Sequence, residues 1–284
     1  MMKIAVASGK GGTGKTTLSI ALTQAISGKV TLLDCDVEEP NCHLFFPVEL
    51  DETLPVTVLI PVVDEDLCNS CGKCAEMCQF NAIICMDIDP AMVFPALCHS
   101  CGGCALVCET GAISEEECVI GCIEKRTIAQ DKTLISGRLN IGYSLAPTVI
   151  RAVNREQSDN QITIIDAPPG TACPFVATVS ESDFTILVTE PTKFGLHDLS
   201  LAVATLREMK RHFGVVINRS EQAENMVTDY CQQENIPVLL QIPASRKIAE
   251  SYSRGGSLLD VMPEMKLDLL AMLKQIQAMI GSKI

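Results

Sequence analysis

The 284-residue chain has no run approaching the ~18 uninterrupted apolar residues of a membrane span, so no partner membrane is expected. It has no basic excess either: 22 Lys and Arg stand against 35 Asp and Glu, a formal net charge of −13. A nucleic-acid partner held by an overall Lys/Arg surplus is thereby excluded. Histidine is scarce. The four present, His43, His99, His197 and His212, show no mutual metal-ligand spacing and read as surface or packing residues. The opening MMKIAVAS is too short for the apolar core of a signal peptide and carries no cleavage site, which points to a cytoplasmic protein.

Hydrophobic residues make up 47% of the chain, enough for a sizeable core and too many for general disorder. Cysteine is abundant, with 15 in all, and without an export signal thiols stay reduced; metal or redox chemistry is a better reading than a disulfide scaffold. Acidic charge is concentrated: residues 64–117 hold ten acids against Lys73 alone.

Short apolar runs, IAVAS, VTLLD, ITIID, FTILVTE, FGVVIN and VLLQI, alternate with amphipathic stretches. Uniformly apolar runs of this kind suit strands of a mostly parallel sheet covered on both faces by helices. The expected fold class is α/β, with residues 1–62 and 115–284 forming one discontinuous domain and residues 63–114 an inserted small α+β domain. Residues 115–145 read as a connecting hairpin or meander. The C-terminal KLDLLAMLKQIQAMI places Leu267, Leu270, Leu273, Ile276 and Ile280 on one face of a packed helix.

Gly9-Lys10-Gly11-Gly12-Thr13-Gly14-Lys15-Thr16 fits G-x-x-x-x-G-K-[ST], follows a predicted strand and opens a helical pattern. Such glycines let backbone N–H groups form an anion nest at a helix N-terminus, Lys15 reaches the β/γ-phosphates, and the Thr16 hydroxyl ligates Mg²⁺.

The extra Lys10 makes KGGTGKTT resemble the deviant Walker A of the MinD/ParA/Mrp and nitrogenase-iron-protein class of P-loop ATPases. Asp34-Cys35-Asp36 resembles the acidic D-x-D of that class and the following Val37-Glu38-Glu39-Pro40-Asn41 its switch I, Ile164-Ile165-Asp166-Ala167-Pro168-Pro169-Gly170 its Walker B and switch II, and Ile217-Asn218-Arg219 its adenine-side strand end, with Gln241-Ile242-Pro243-Ala244 as the next loop. The resemblance implies ATP and Mg²⁺ as ligands and an ATP-dependent dimer of this chain with itself or a related one. It further implies that Lys10 reaches across to the partner's nucleotide, Asp36 orients the attacking water, Asp166 holds Mg²⁺ through water, Thr17 touches the α-phosphate, and Asn218 with Pro243 borders adenine. Asp34 is expected behind these groups.

Residues 68–83, CNSCGKCAEMCQFNAI, repeat at an offset of 30 as CHSCGGCALVCETGAI, nine of sixteen positions being identical. Each copy carries C-x2-C-x2-C-x3-C, the bacterial ferredoxin run, in which the fourth cysteine ligates the other cluster. The expected sets are Cys68, Cys71, Cys74 and Cys108 around one [4Fe–4S] cluster and Cys98, Cys101, Cys104 and Cys78 around the other. Zinc is the competing metal, although structural zinc cysteines usually come as two separated C-x2-C pairs. The proline that normally follows the fourth cysteine is Gln79 in one copy and Glu109 in the other.

Of the remaining cysteines, Cys35, Cys42, Cys85, Cys118, Cys122 and Cys231 read as small apolar side chains. Cys173 follows Asp166 by seven residues, the spacing of a cluster cysteine in the nitrogenase iron protein, and is a candidate sensor or labile ligand near a dimer axis. Together these features imply an ATPase whose dimer cycle gates electron transfer from two clusters to a redox or metallocofactor protein. The alternatives are an Mrp-like cluster carrier and a MinD/ParA-like positioning ATPase with redox-sensing clusters.

Overall fold

The computed structural model describes residues 2–86, 88–156, 162–220 and 226–281. The chain opens with β1 (Met2–Ala7), α1 (Lys15–Ala25), β2 (Val30–Asp34), a 3₁₀ turn at Cys42–Phe45, and β3 (Glu52–Val63). The cysteine repeat follows as α2 (Lys73–Met77), β4 (Ile83–Ile84), β5 (Met92–Val93) and α3 (Gly103–Leu106), leading into β6 (Ile113–Ala129) and β7 (Lys132–Leu139). Then come α4 (Ala146–Arg155), β8 (Ile162–Asp166), α5 (Cys173–Val179), β9 (Phe184–Thr189), α6 (Lys193–Glu208) and β10 (Phe213–Ser220). The chain closes with α7 (Met226–Gln233), β11 (Val238–Pro243), α8 (Arg246–Tyr252), α9 (Leu258–Val261) and α10 (Met265–Gly281).

Contacts divide the molecule into two compact units, Met1–Thr53 with Ile123–Arg138 and Ile150–Ile284, and Leu54–Cys122 with Leu139–Val149. The second is larger than the expected insert 63–114, because the strands flanking the repeat run on past it: β3 and β6 each give residues to both units.

The main sheet has the strand order β11-β10-β9-β1-β8-β2-β7-β6-β3. The six apolar runs are its strands β1, β2, β8, β9, β10 and β11, and they pair in parallel. All five residues of β2 and all six of β9 are buried, as strands covered on both faces must be. Residues 115–145 contain the hairpin of β6 and β7, which turns at Gln130 and Asp131. It is more than a connector, since β7 pairs in parallel with β2 and extends the sheet. Strand register brings two acids side by side: Asp166 on β8 lies opposite Val6 on one side and Asp34 on the other.

The C-terminal segment is a helix, but its buried face is Met265, Leu269, Met272, Leu273 and Ile276. Leu267, expected inward, is 75% exposed. The segment carries more than one apolar stripe, and the one containing Met265 and Met272 packs into the core that α1 also enters. Among the described residues no helix is long and apolar enough to cross a membrane.

In the second unit the repeat is reproduced in the backbone. Helices α2 and α3 both start from a glycine in the left-handed region, Gly72 at φ 74° and Gly102 at φ 70°. Two residues earlier, Ser70 and Ser100 adopt φ 56° and 53°. Glycine removes the Cβ clash that this conformation otherwise brings. β4 and β5 pair antiparallel, and Cys74, Ile83, Ala91 and Ile113 form the buried core.

Candidate nucleotide site and cysteine-lined cavities

The loop between β1 and α1 ends at Gly14, whose φ of 97° turns the chain into the helix. A Cβ there would collide with the side-chain amide of Asn218, so the position is closed to other residues twice over, by torsion and by space. Asn218 donates its amide N–H to the Thr13 carbonyl at 2.7 Å and accepts the backbone N–H of Arg219 at 2.9 Å. It thus braces the loop from the end of β10.

Beside the loop opens a cavity of about 420 Å³. Of the residues singled out in the sequence, Gly11, Gly12, Gly14, Lys15, Thr16, Thr17, Asp36, Asn218 and Pro243 line it, and Tyr252 adds a ring. Gly9, Lys10, Thr13 and Asp166 do not: Thr13 and Asp166 are buried behind the wall. Burial pushes the Lys15 ammonium below its ordinary pKa, while Asp166 and Asp36 pull it back up.

Besides Asp36 on the cavity wall, two carboxylates are fully buried nearby. Asp166 accepts the hydroxyls of Thr16 at 2.7 Å and Ser19 at 2.8 Å. Asp34, also fully buried, accepts the backbone N–H groups of Asp36, Asn41 and Cys42 at 3.2, 3.0 and 2.9 Å. It therefore moors both ends of the 36–42 loop, a role that its expected place behind the reacting groups left unstated. Desolvation, reinforced by the charge of Asp166, raises Asp34 to about 7. Asp36 rises to about 6, from burial first and Asp166 second, with Lys15 opposing. Burial raises Asp166 as well. This surplus of buried negative charge over Lys15 suits a divalent cation beside Thr16 and Asp166.

Cys42 was not foreseen here. Its thiol donates to Asp166 at 3.6 Å, and with Asp34 and Asp166 it forms a buried set of mutually close ligand atoms. Burial and the two carboxylates push this thiol well above its usual pKa, so it stays a neutral donor between two acids. Its only signal in the sequence is a cysteine six residues beyond Asp36. Glu190, at the end of β9, was also missed. Its Oε2 lies 3.4 Å from Lys10 Nζ and its Oε1 accepts from Arg219 Nη1 at 2.5 Å, so one carboxylate holds two cations.

The eight repeat cysteines gather in two places. Cys68, Cys71, Cys74 and Cys108 line one cavity and Cys78, Cys98, Cys101 and Cys104 another, each set closed by the fourth cysteine of the opposite copy. Four sulfurs around one space is a donor set for an iron–sulfur cluster or for tetrahedral zinc. Cys85, read as packing, lines the first cavity as a fifth thiol. His99 stacks on Phe80 at 3.6 Å, a packing role as expected. Cys118 faces the Tyr143 hydroxyl at 3.2 Å. Cys173 is exposed at the first residue of α5 and does not line the nucleotide cavity.

Solved structures of similar architecture include nucleotide complexes. The chain is 37% identical over 223 residues to the uncharacterized protein MJ0578 of Methanocaldococcus jannaschii, covering 77% of this chain and 78% of that protein. In structure it is similar to the septum site-determining protein MinD of Pyrococcus horikoshii, complexed with Mg-ADP, with a TM-score of 0.56 at 19% identity over 100% of this chain and 98% of that one. It is also similar to an ATP complex of a Cyanothece McdA variant, with a TM-score of 0.60 at 16% identity over 98% and 96% of the two chains. The model of the CobQ/CobB/MinD/ParA nucleotide binding domain matches residues 4–258, and the chain belongs to that family.

Proposed function

We propose that this protein is an ATPase that works as a dimer and whose nucleotide cycle controls electron release from two [4Fe–4S] clusters to a protein partner. The observation that carries the reading is the pair of cavities, each framed by four ferredoxin-spaced cysteines, on a chain that also bears a deviant P-loop. Cys68, Cys71, Cys74 and Cys108 would hold one cluster and Cys98, Cys101, Cys104 and Cys78 the other. When bound, such clusters store and pass single electrons.

The nucleotide chemistry is positioning and electrostatics, with little covalent work for the protein. The loop N–H groups and Lys15 would hold the β- and γ-phosphates. Thr16 and Asp166 would hold Mg²⁺, which would neutralise phosphate charge there. Asp36, on the cavity wall and with its pKa raised to about 6, orients the attacking water. Lys10, tied to Glu190 in the single chain, is the group that a dimer partner's phosphate would draw away. The acidic run of residues 64–117 would steer a basic partner surface, an attraction that salt screens.

The test is anaerobic. Iron and acid-labile sulfide are counted per chain, and electron paramagnetic resonance of the dithionite-reduced protein is recorded with and without ATP and Mg²⁺. About eight irons with a spectrum or potential that responds to nucleotide is the expected result. Eight irons indifferent to nucleotide would overturn gating. The exposed thiol of Cys173 supports one alternative, a carrier that hands a cluster to other proteins. That reading requires extra iron that leaves readily to an apo-acceptor and is lost in Cys173→Ser.

A further inference from the structure

The two cysteine cavities are copies in backbone and unlike in side chains. At the offset of 30, Cys85 corresponds to Glu115, Thr110 to Phe80, and Lys73 to Gly103. All six line a cavity, the first member of each pair at the Cys68 set and the second at the Cys98 set.

Each difference has an electrostatic sign. Glu115 brings a carboxylate to the second cavity, and its charge acts on the Cys98 thiol, where its counterpart at the first is the uncharged thiol of Cys85. A fixed negative charge opposes adding an electron nearby. The Thr110 hydroxyl lies 3.6 Å from Cys108 Sγ and becomes the donor once that sulfur is a thiolate ligand. A hydrogen bond to ligand sulfur favours the reduced state, whereas the Phe80 side chain in the equivalent place has nothing to donate. Lys73 adds little, being paired with Glu109 at 2.5 Å on the surface. The Cys108 thiol is lowered first by the Thr110 hydroxyl and then by the backbone N–H groups that follow it, whereas the Cys78 thiol is lowered, against burial, by backbone N–H groups. Against the trend, two backbone N–H groups reach sulfurs of the second set, Ala82 to Cys78 Sγ at 3.3 Å and Ser100 to Cys98 Sγ at 3.4 Å. Those are two dipoles set against a whole charge.

We infer that the two cluster sites are tuned apart, the site of Cys68, Cys71, Cys74 and Cys108 having the higher reduction potential and the site of Cys98, Cys101, Cys104 and Cys78 the lower. The inference rests on the cluster reading proposed above. An electron entering the protein settles at the first site, and the second becomes the stronger reductant once both are filled. Glu115 is the residue that chiefly sets the gap and Thr110 the second contributor.

The experiment is a potentiometric titration of the anaerobically purified full chain, followed by electron paramagnetic resonance. The wild type should titrate in two one-electron waves. Glu115→Gln should raise the lower midpoint alone, shifting the electron distribution between sites about tenfold, or about 59 mV for one electron. Thr110→Val should lower the upper midpoint alone, by less. A wild type with eight irons and a single wave, or a Glu115→Gln protein with both midpoints in place or the upper one moved, overturns the inference while leaving cluster binding intact. A protein that takes up no iron overturns the cluster reading itself.

Discussion

The nucleotide unit and the cysteine unit are held together differently. The first is organised around fully buried strands, with Ile4, Leu32, Ile164 and Ile186 among many side chains at 0% exposure. In the second, Cys74, Ile83, Ala91 and Ile113 form a small buried cluster beside the cysteine cavities, and Ile88 and Leu106 are left at 89% and 85% exposure. A unit of the first kind folds by burying apolar surface. On the cluster reading proposed above, the second unit draws part of its stability from ligation as well. The same contrast runs through the polar groups: buried acids anchor a loop in one unit, and sulfur lines two cavities in the other.

The sharpest way to break the comparison is Lys15→Ala. Nucleotide affinity should fall by at least about a hundredfold, on the scale of a lost charge-assisted contact, with the iron content unchanged; calorimetry and iron assay read both. Cys74→Ser should do the reverse. It should remove about half of the iron and raise amide exchange across the second unit, with ATP binding retained. If either variant disables both units, their independence is wrong.

A finer test uses pH. Asp34 is held at about 7 in the folded protein, far above an ordinary carboxylate near 3.8, so the folded state retains a proton that the unfolded chain releases. Stability from this group is therefore fully present below about pH 4 and is lost as pH rises toward 7. Asp34→Asn should flatten that slope in urea unfolding of the nucleotide-free protein. It should also cost about 1–3 kcal/mol at acid pH, because an amide cannot accept all three loop N–H groups as well as the carboxyl does. The smallest effect is expected at Glu190. Glu190→Gln frees Lys10 and Arg219, and basal ATP hydrolysis should rise by about two- to fivefold, the scale of one partly exposed ion pair.

Much of this molecule was legible in its sequence. The parallel strands could be read because each is a continuous apolar run, and the P-loop because its glycines have one conformational purpose. The grouping of the cysteines was expected from the ferredoxin-type run, whose fourth cysteine crosses to the other set. The strand β3 could not be read, since Pro55 and Pro61 interrupt it and its burial is patchy. The cluster of Asp34, Cys42 and Asp166 is assembled by register between β2 and β8 and by the loop that Asp34 holds, and none of these is adjacent in sequence. Glu190 meets Lys10 across 180 positions. Cys85 was within reach: carrying the repeat two positions beyond its last identity sets it opposite Glu115.

The crossed closure of the two cavities also bears on how far the copies are interchangeable. Each copy of the repeat lends its fourth cysteine to its sister's set, so a change at Cys78 or Cys108 is felt at the cavity lined mainly by the other copy. Positions such as Cys85 and Glu115 lie outside these fourfold sets, and there the two copies differ.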